Sequence, residues 1–151
     1  MTLVYRKLDV ARSSVDLIAH GCNCRQTMGA GVAKYLSQLY PEIRRADRHF
    51  HPQGANDRLG LIDVIEVHTI PERSIRYVAN CYTQRNIGHG LQVSYSAIAK
   101  CMQALHKTTL EKNLSVAMPK IGSDRGGGDW DTIANIIDRS FVNREVLICY
   151  L

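Results

Sequence analysis

Two glycine-rich stretches hold most of the residues that could carry chemistry. The stretch Met118 to Trp130 reads M-P-K-I-G-S-D-R-G-G-G-D-W and sets Gly122 and Gly126 to Gly128 around Ser123, Asp124 and Arg125. Glycine backbone takes positive φ freely and lets a ligand come close. Bare amide groups just ahead of a helix favour negative charge, so a loop of this kind is an anion cradle. The stretch Ile18 to Gly31 reads I-A-H-G-C-N-C-R-Q-T-M-G-A-G and has the same setting. Two such loops, each between a strand and a helix, suit a ligand with two phosphates or a phosphate between two sugars. A flexible connection is the plain alternative for either loop alone.

Side chains in and near these loops offer acid–base and ion-pairing chemistry. His20 is expected at the end of a strand beside the crevice, as a general acid or base or as a ring pinned behind the loop. Asp124 can act on a water or bind a ribose hydroxyl, and Arg125 can pair with phosphate. Asp129 stands immediately before a helix, as an N-cap would. Asp9 closes the first strand, where its carboxylate can accept from an exocyclic amine or simply make a turn. His20-Gly-Cys22-Asn-Cys24 has metal-binding residue types, but C-x-C is not the usual knuckle and no second ligand pair follows. Cys22 and Cys24 therefore read as small buried residues beside a tight turn, and no metal is expected. His89, between two glycines, reads as a solvated loop residue.

Two nucleotide-binding signatures are absent. Gly29-Ala-Gly31-Val-Ala-Lys34 supplies G-x-G without the third glycine, and Pro41 follows where a strand with an acidic end belongs. No G-K-S or G-K-T exists for a Walker loop. Nicotinamide chemistry and nucleotide triphosphate hydrolysis fall behind, and no cofactor is expected.

The elements that position these residues follow from hydrophobic period. Leu3 to Leu8 and Val15 to Ala19 read as strands, the second short and apolar as if covered on both faces. Gly29 to Leu39 reads as a helix through Val32, Leu36 and Leu39, stopped by Pro41. Glu42 to Phe50 adds a helical turn or two, and His51 to Asp57 a loop. Leu61 to His68 and Ser74 to Tyr82 read as a hairpin through Pro71-Glu72-Arg73, followed by a polar loop, Thr83 to Gly90. A helix runs from about Gln92 to Leu110, a strand from Leu114 to Met118, a helix from Trp130 to Phe141 and a last strand from Val146 to Tyr150. Strands alternating with helices predict one α/β/α domain over residues 1–151, with a mixed, roughly six-stranded sheet. Ligands of such sheets bind beyond the carboxyl ends of the strands, where Asp9, both glycine loops and Thr83 to Gly90 converge.

Composition bounds the setting. The 151 residues, 45% hydrophobic and 22% charged, fit an ordinary globular protein. No apolar run reaches the roughly 18 residues that span a bilayer, and the N-terminus lacks a signal-peptide pattern. Five irregularly spaced cysteines argue for a reducing compartment, the cytoplasm, over a disulfide framework. A net charge of +5 favours an anionic partner. Nucleic acid is a secondary expectation, because no basic block exceeds Arg44-Arg45.

Over nearly the whole chain these motifs resemble a macrodomain. Lys7-Leu-Asp9-Val10 resembles the family's strand ending in G-D-I or G-D-L, with Leu8 in place of the glycine. Ile18-Ala-His-Gly-Cys-Asn-Cys with Met28-Gly-Ala-Gly-Val-Ala33 resembles its first ligand loop. Met118-Pro-Lys-Ile-Gly-Ser with Gly-Gly-Asp-Trp130 resembles its phosphate loop. The closing Cys149-Tyr150-Leu151 is similar to the aromatic end of one branch. That branch holds the terminal ADP-ribose protein glycohydrolase, the yeast ADP-ribose-1″-phosphate phosphatase, and phage and bacterial proteins.

The resemblance implies ADP-ribose or a derivative as ligand. Asp9 would receive the adenine amine beside Val10, and Tyr150 would stack on the ring. The backbone of Ser123 to Gly128 would hold the diphosphate with that of Gly31 and Val32. Asn23 and the turn Met28, Gly29, Ala30 and Gly31 would surround the distal ribose. Thr83, Gln84, Pro119, Ile121 and Gly122 complete the ligand-binding set.

For catalysis, Gln84 or Arg85 stands where the glycohydrolase has its attacking lysine, and neither can form a Schiff base. Gly126 stands near its aspartate, with Asp124 two residues earlier. His20, within H-x-C-N-C, resembles the phosphatase side. The resemblance thus implies removal of the terminal phosphate from ADP-ribose-1″-phosphate, with His20 and Asp124 as working groups. The alternatives are a hydrolase of ADP-ribosyl esters or nucleic acid, and a non-catalytic reader.

Overall fold

A computed structural model describes residues 2–52 and 57–151. Residues 53–56, inside the expected loop His51 to Asp57, lie outside the described residues. The strands are β1 (Leu3–Lys7), β2 (Leu17–Asn23), β3 (Ile62–Glu66), β4 (Tyr77–Gln84), β5 (Val116–Pro119) and β6 (Val146–Tyr150). The helices are α1 (Gly31–Leu39), α2 (Pro41–His49), α3 (Tyr95–Lys112) and α4 (Trp130–Ser140), and a single 3-10 turn spans Val10–Arg12. One sheet runs β1-β6-β5-β2-β4-β3. Only β3 is antiparallel to its neighbour, which makes the sheet mixed.

The period of two along each strand sorts side chains onto two cores. Leu17 and Ala19 of β2, Ala79 and Cys81 of β4, Met118 of β5 and Ile148 of β6 pack against α3 and α4. Ile18 and Cys22, Val78 and Tyr82, Ala117 and Cys149 pack against α1 and α2 on the other face. Central strands covered on both faces have no room for a solvated residue, which is why the start of β2 reads as a short apolar run.

Local chemistry fixes the helix ends. Pro41 occupies the first turn of α2, where its missing N–H costs nothing. Ser94 caps α3 by accepting from the Ala97 amide at 3.1 Å, and Asp129 caps α4 by accepting from Thr132 at 3.0 Å. Asn113 ends α3 with a left-handed φ of 53°. The amino end of α1 has only Ala30 before it, with no side-chain cap.

Several expected boundaries move. β2 begins two residues later than expected and continues to Asn23, so His20 sits inside the strand. β4 runs on through Thr83 and Gln84, which therefore belong to the sheet and not to a loop. α1 starts at Gly31, after an extended Ala30, and not at Gly29.

Candidate functional site

Five parallel strands leave Lys7, Tyr150, Pro119, Asn23 and Gln84 at one edge of the sheet. Asp9 follows β1, the first glycine loop follows β2 and the second follows β5, so all of them gather there. The two loops touch: a Cβ placed on Gly31 would lie 3.4 Å from both Cδ and Nε of Arg125. Gly31 has φ +61°, a left-handed conformation that glycine adopts without strain. Gly127 has φ +68°, and a Cβ there would collide with the Gly90 carbonyl oxygen. Segment 88–92 thus folds onto the second loop, where Gln92 and Val93 both donate to the Gly126 carbonyl, at 2.8 and 3.1 Å.

Backbone bonding narrows the set of donors available to an anion. Within the second loop Ser123 donates to Lys120, Gly127 to Asp124 and Gly128 to Gly122. The amides of Asp124, Arg125 and Gly126 have no acceptor among the described residues. At the first loop, α1 leaves its opening amides at Gly31, Val32 and Ala33 without a cap. The positive end of the α1 dipole therefore lies beside the Arg125 side chain, whose own loop carries the three amides of Asp124 to Gly126. Asp124 is exposed next to them.

The expected site residues divide by exposure. Asp9, Asn23, Gly29, Ala30, Gly31, Val32, Gln84, Pro119, Gly122, Ser123, Asp124, Arg125, Gly127, Gly128 and Tyr150 all reach solvent. Val10, Met28, Thr83, Ile121 and Gly126 are buried and support the crevice from beneath. The Asn23 amide closes its own turn, donating to the Thr27 carbonyl at 3.1 Å and accepting from Arg25 N–H at 2.8 Å. Tyr150 has the Lys120 ammonium 5.6 Å from its ring centre, and Trp130 has it at 6.0 Å.

Of the two readings of His20, the structure shows the pinned ring. Its side chain is fully buried on the α1/α2 face, with Nε2 2.6 Å from Asn80 Oδ1 and 3.8 Å from Cys22 Sγ. Asn80 in turn donates to the Ile43 carbonyl of α2 at 3.2 Å. Burial pushes the histidine pKa down to about 4, against the Asn80 hydrogen bond and the Asp47 charge, which favour the cation. His20 is a buried, neutral ring that stands behind the first loop, inside β2. Burial also raises the Cys22 thiol well above its ordinary range, so it is no nucleophile.

Sequence reasoning missed a polar cluster beside His20. Asp47 accepts from Tyr82 at 2.7 Å and from Arg58 at 2.9 Å, both buried. It also missed Tyr35, whose hydroxyl donates to Asp9 Oδ2 at 2.5 Å. Asn80, a lone amide within the run Tyr77 to Tyr82, was the one visible signal of the first. The i, i+3 spacing from Val32 to Tyr35 was the only signal of the second.

A mixed six-stranded sheet between helix pairs, with two glycine loops meeting beyond its carboxyl edge, defines a three-layer α/β/α protein. Residues 19–137 match the family model of the Macro domain, and the chain belongs to that family. It is similar to an uncharacterized 17.5 kDa protein in the tk-vs intergenic region of Enterobacteria phage T4. That similarity is 37% identity over 133 residues, covering 87% of this chain and 83% of the phage protein. An ADP-ribose 1''-phosphate phosphatase of Lodderomyces elongisporus is 25% identical over 150 residues, covering 92% of each chain. A DNA ADP-ribosyl glycohydrolase of Mycobacterium tuberculosis is 24% identical over 140 residues, which are 92% of this chain and 38% of that protein. The macrodomain of Mycobacterium tuberculosis DarG has the same fold, with a TM-score of 0.81 at 21% identity over 99% of this chain and 97% of that one.

Proposed function

We propose that the protein binds ADP-ribose in this crevice and hydrolyses the terminal phosphate of ADP-ribose-1″-phosphate. The observation that carries the reading is the meeting of the two loops at Gly31 and Arg125, with free amides on both sides. A diphosphate between two sugars fits such a double cradle, because each loop offers N–H donors to one phosphoryl group. Asp9 at one end accepts the adenine amine and Tyr150 stacks on the ring. Asn23 and the turn 28–31 take the distal ribose at the other end.

In the hydrolytic step a water attacks the terminal phosphorus and its bond to the 1″-oxygen breaks. Inorganic phosphate leaves, and the freed 1″-oxygen takes up a proton to complete ADP-ribose. Asp124 is the exposed carboxylate of the loop and orients the water, accepting its proton. Arg125 and the amino end of α1 hold the charge of the diphosphate and so fix the ligand while its terminal phosphate reacts. His20 takes no proton in this scheme. The relative named as an ADP-ribose 1''-phosphate phosphatase supports the substrate.

The test is inorganic phosphate release from ADP-ribose-1″-phosphate, with calorimetric ADP-ribose binding alongside. The wild type should release phosphate, and Asp124→Asn should lower turnover by about 100-fold, the usual weight of a general base. His20→Gln should keep most of its turnover at neutral pH. Binding without phosphate release would refute the phosphatase reading and leave either a reader or a de-ADP-ribosylating hydrolase.

One observation favours hydrolysis of ADP-ribosylated nucleic acid as the second reading. Arg44, Arg45 and Arg48 point outward from α2, and Arg25 is exposed in the first loop. Arg44 reaches the Met28 carbonyl at 3.1 Å, and Arg25 reaches Asn86 at 2.9 Å, so these cations ring the proposed distal-ribose end. The acids of the same region are already engaged, Asp47 by Arg58 and Asp57 by Arg85. A polyanion attached at the 1″ position would meet this charge. Release of ADP-ribose from a modified oligonucleotide, weakening steeply with salt, would favour it, and no release would remove it.

A further inference from the structure

The Asp9 carboxylate is held at both oxygens in the ligand-free protein. Its Oδ1 accepts from the Ala11 amide at 3.0 Å, the bond that caps the turn Val10–Arg12. Its Oδ2 accepts from the Tyr35 hydroxyl at 2.5 Å. Tyr35 stands one turn beyond Val32 on α1, and the two side chains are 39% and 37% exposed. They share a face of the helix, since residues three apart are neighbours on its surface. The hydrogen bond to Asp9 is the main cause that raises the Tyr35 pKa, so the phenol keeps its proton and remains the donor. Arg73 braces the same turn by donating to the Ala11 carbonyl at 3.1 Å.

An aspartate χ2 torsion is broad and roughly two-fold, so an unheld carboxylate samples many directions. Here two donors from different elements fix its plane. Each carboxylate oxygen has two lone-pair sites, so each retains one after these bonds. The Tyr35 proton is spent on Asp9 and is not offered outward. What faces the crevice is therefore an acceptor-only edge, matched to an amine and opposed to a carbonyl oxygen.

We propose that Tyr35 is a positioning residue of the base site: it holds Asp9 as a fixed acceptor and thereby makes the site select a 6-amino purine over a 6-oxo purine. This deepens the ADP-ribose reading above and rests on it. Glycine motifs and the aspartate alone supply affinity for a nucleotide; the tyrosine supplies the discrimination.

The experiment is calorimetric titration of wild type, Tyr35→Phe, Asp9→Asn and the double variant. Each is titrated with ADP-ribose and with the analogue that carries hypoxanthine in place of adenine. Phenylalanine keeps the ring and its packing, and matching unfolding midpoints establish that only the hydroxyl has been lost. Tyr35→Phe should bind ADP-ribose about tenfold more weakly, the scale of one hydrogen bond to a charged group. The preference for adenine over hypoxanthine should shrink by a similar factor, and adding Tyr35→Phe to Asp9→Asn should change nothing more. An unchanged preference in Tyr35→Phe would overturn the proposal. So would a tenfold loss that persists in the Asp9→Asn background, because Tyr35 would then act without Asp9. If the wild type bound neither nucleotide, the ADP-ribose reading itself would fail and take this inference with it.

Discussion

A single buried imidazole separates what His20 is from what its motif implied. With Nε2 against Asn80 and no exposure, the ring is neutral at physiological pH, its pKa near 4 in place of the ordinary 6.5. The unfolded chain binds the proton more readily than the folded one, so protonation favours unfolding. The stabilisation is complete above about pH 6.5 and is lost as the pH falls towards 4. Its full size is roughly 3 kcal/mol for a shift of this extent. His20→Gln has nothing to titrate there, so its denaturation midpoint should stay flat between those pH values while the wild type declines. Parallel declines in both proteins would show that other groups set the acid sensitivity. The motif left two readings open for the same residue: H-x-C-N-C records residue types, and only the tertiary structure says which of them is buried.

At the level of elements, one ion pair joins α2 to the sheet. Asp47 from α2 and Arg58 from the segment before β3 meet with side chains only 3% and 9% exposed. Tyr82 of β4 donates to the same carboxylate at 2.7 Å. Phe50 stacks on Tyr82 with ring centres 5.2 Å apart, and the Arg58 guanidinium lies 5.2 Å from the Tyr82 ring centre. Breaking a buried pair strands its partner, so Arg58→Met should cost about 3–5 kcal/mol in denaturant unfolding. Asp47→Leu combined with Arg58→Met should cost less than Arg58→Met alone, since no charge is then left without its counterion. A double variant less stable than the single one would show that packing, not the stranded carboxylate, dominates. The helical pattern of Glu42 to Phe50 was legible in the sequence, but nothing in it distinguished Asp47 from the solvated Arg44, Arg45 and Arg48 around it.

Across the whole molecule the sheet is shared property. Leu17 and Ala19 serve the core under α3 and α4, while Ile18 and Cys22 of the same strand serve the core under α1 and α2. Neither core can melt without exposing strands that the other needs. Unfolding should therefore be a single transition. Fluorescence of Trp130, the only tryptophan and the first residue of α4, should trace the same midpoint as far-ultraviolet circular dichroism of all helices. Separated midpoints would mean that one face unfolds by itself. Among the described residues no helix is long and apolar enough to cross a membrane.

The sequence by itself determined the local plan. Alternating or short apolar runs marked the six strands, period-3.6 runs the helices, and Asp129 before Trp130 the cap of α4. Clustered glycines marked both loops, because few residues but glycine tolerate positive φ or such close backbone approach. The antiparallel β3–β4 pair was legible from the two adjacent strand patterns. Tertiary structure decided the rest. Strand order and register set His20 opposite Asn80, across sixty residues of chain, and so buried its ring. Loop closure consumed the amides of Ser123, Gly127 and Gly128 and left those of Asp124 to Gly126 without an acceptor among the described residues. The docking of α1 brought Tyr35 to Asp9. Periodicity along a chain reports which face a residue prefers; the partner it meets there is a property of how the elements assemble, and chemistry at a site depends on the partner.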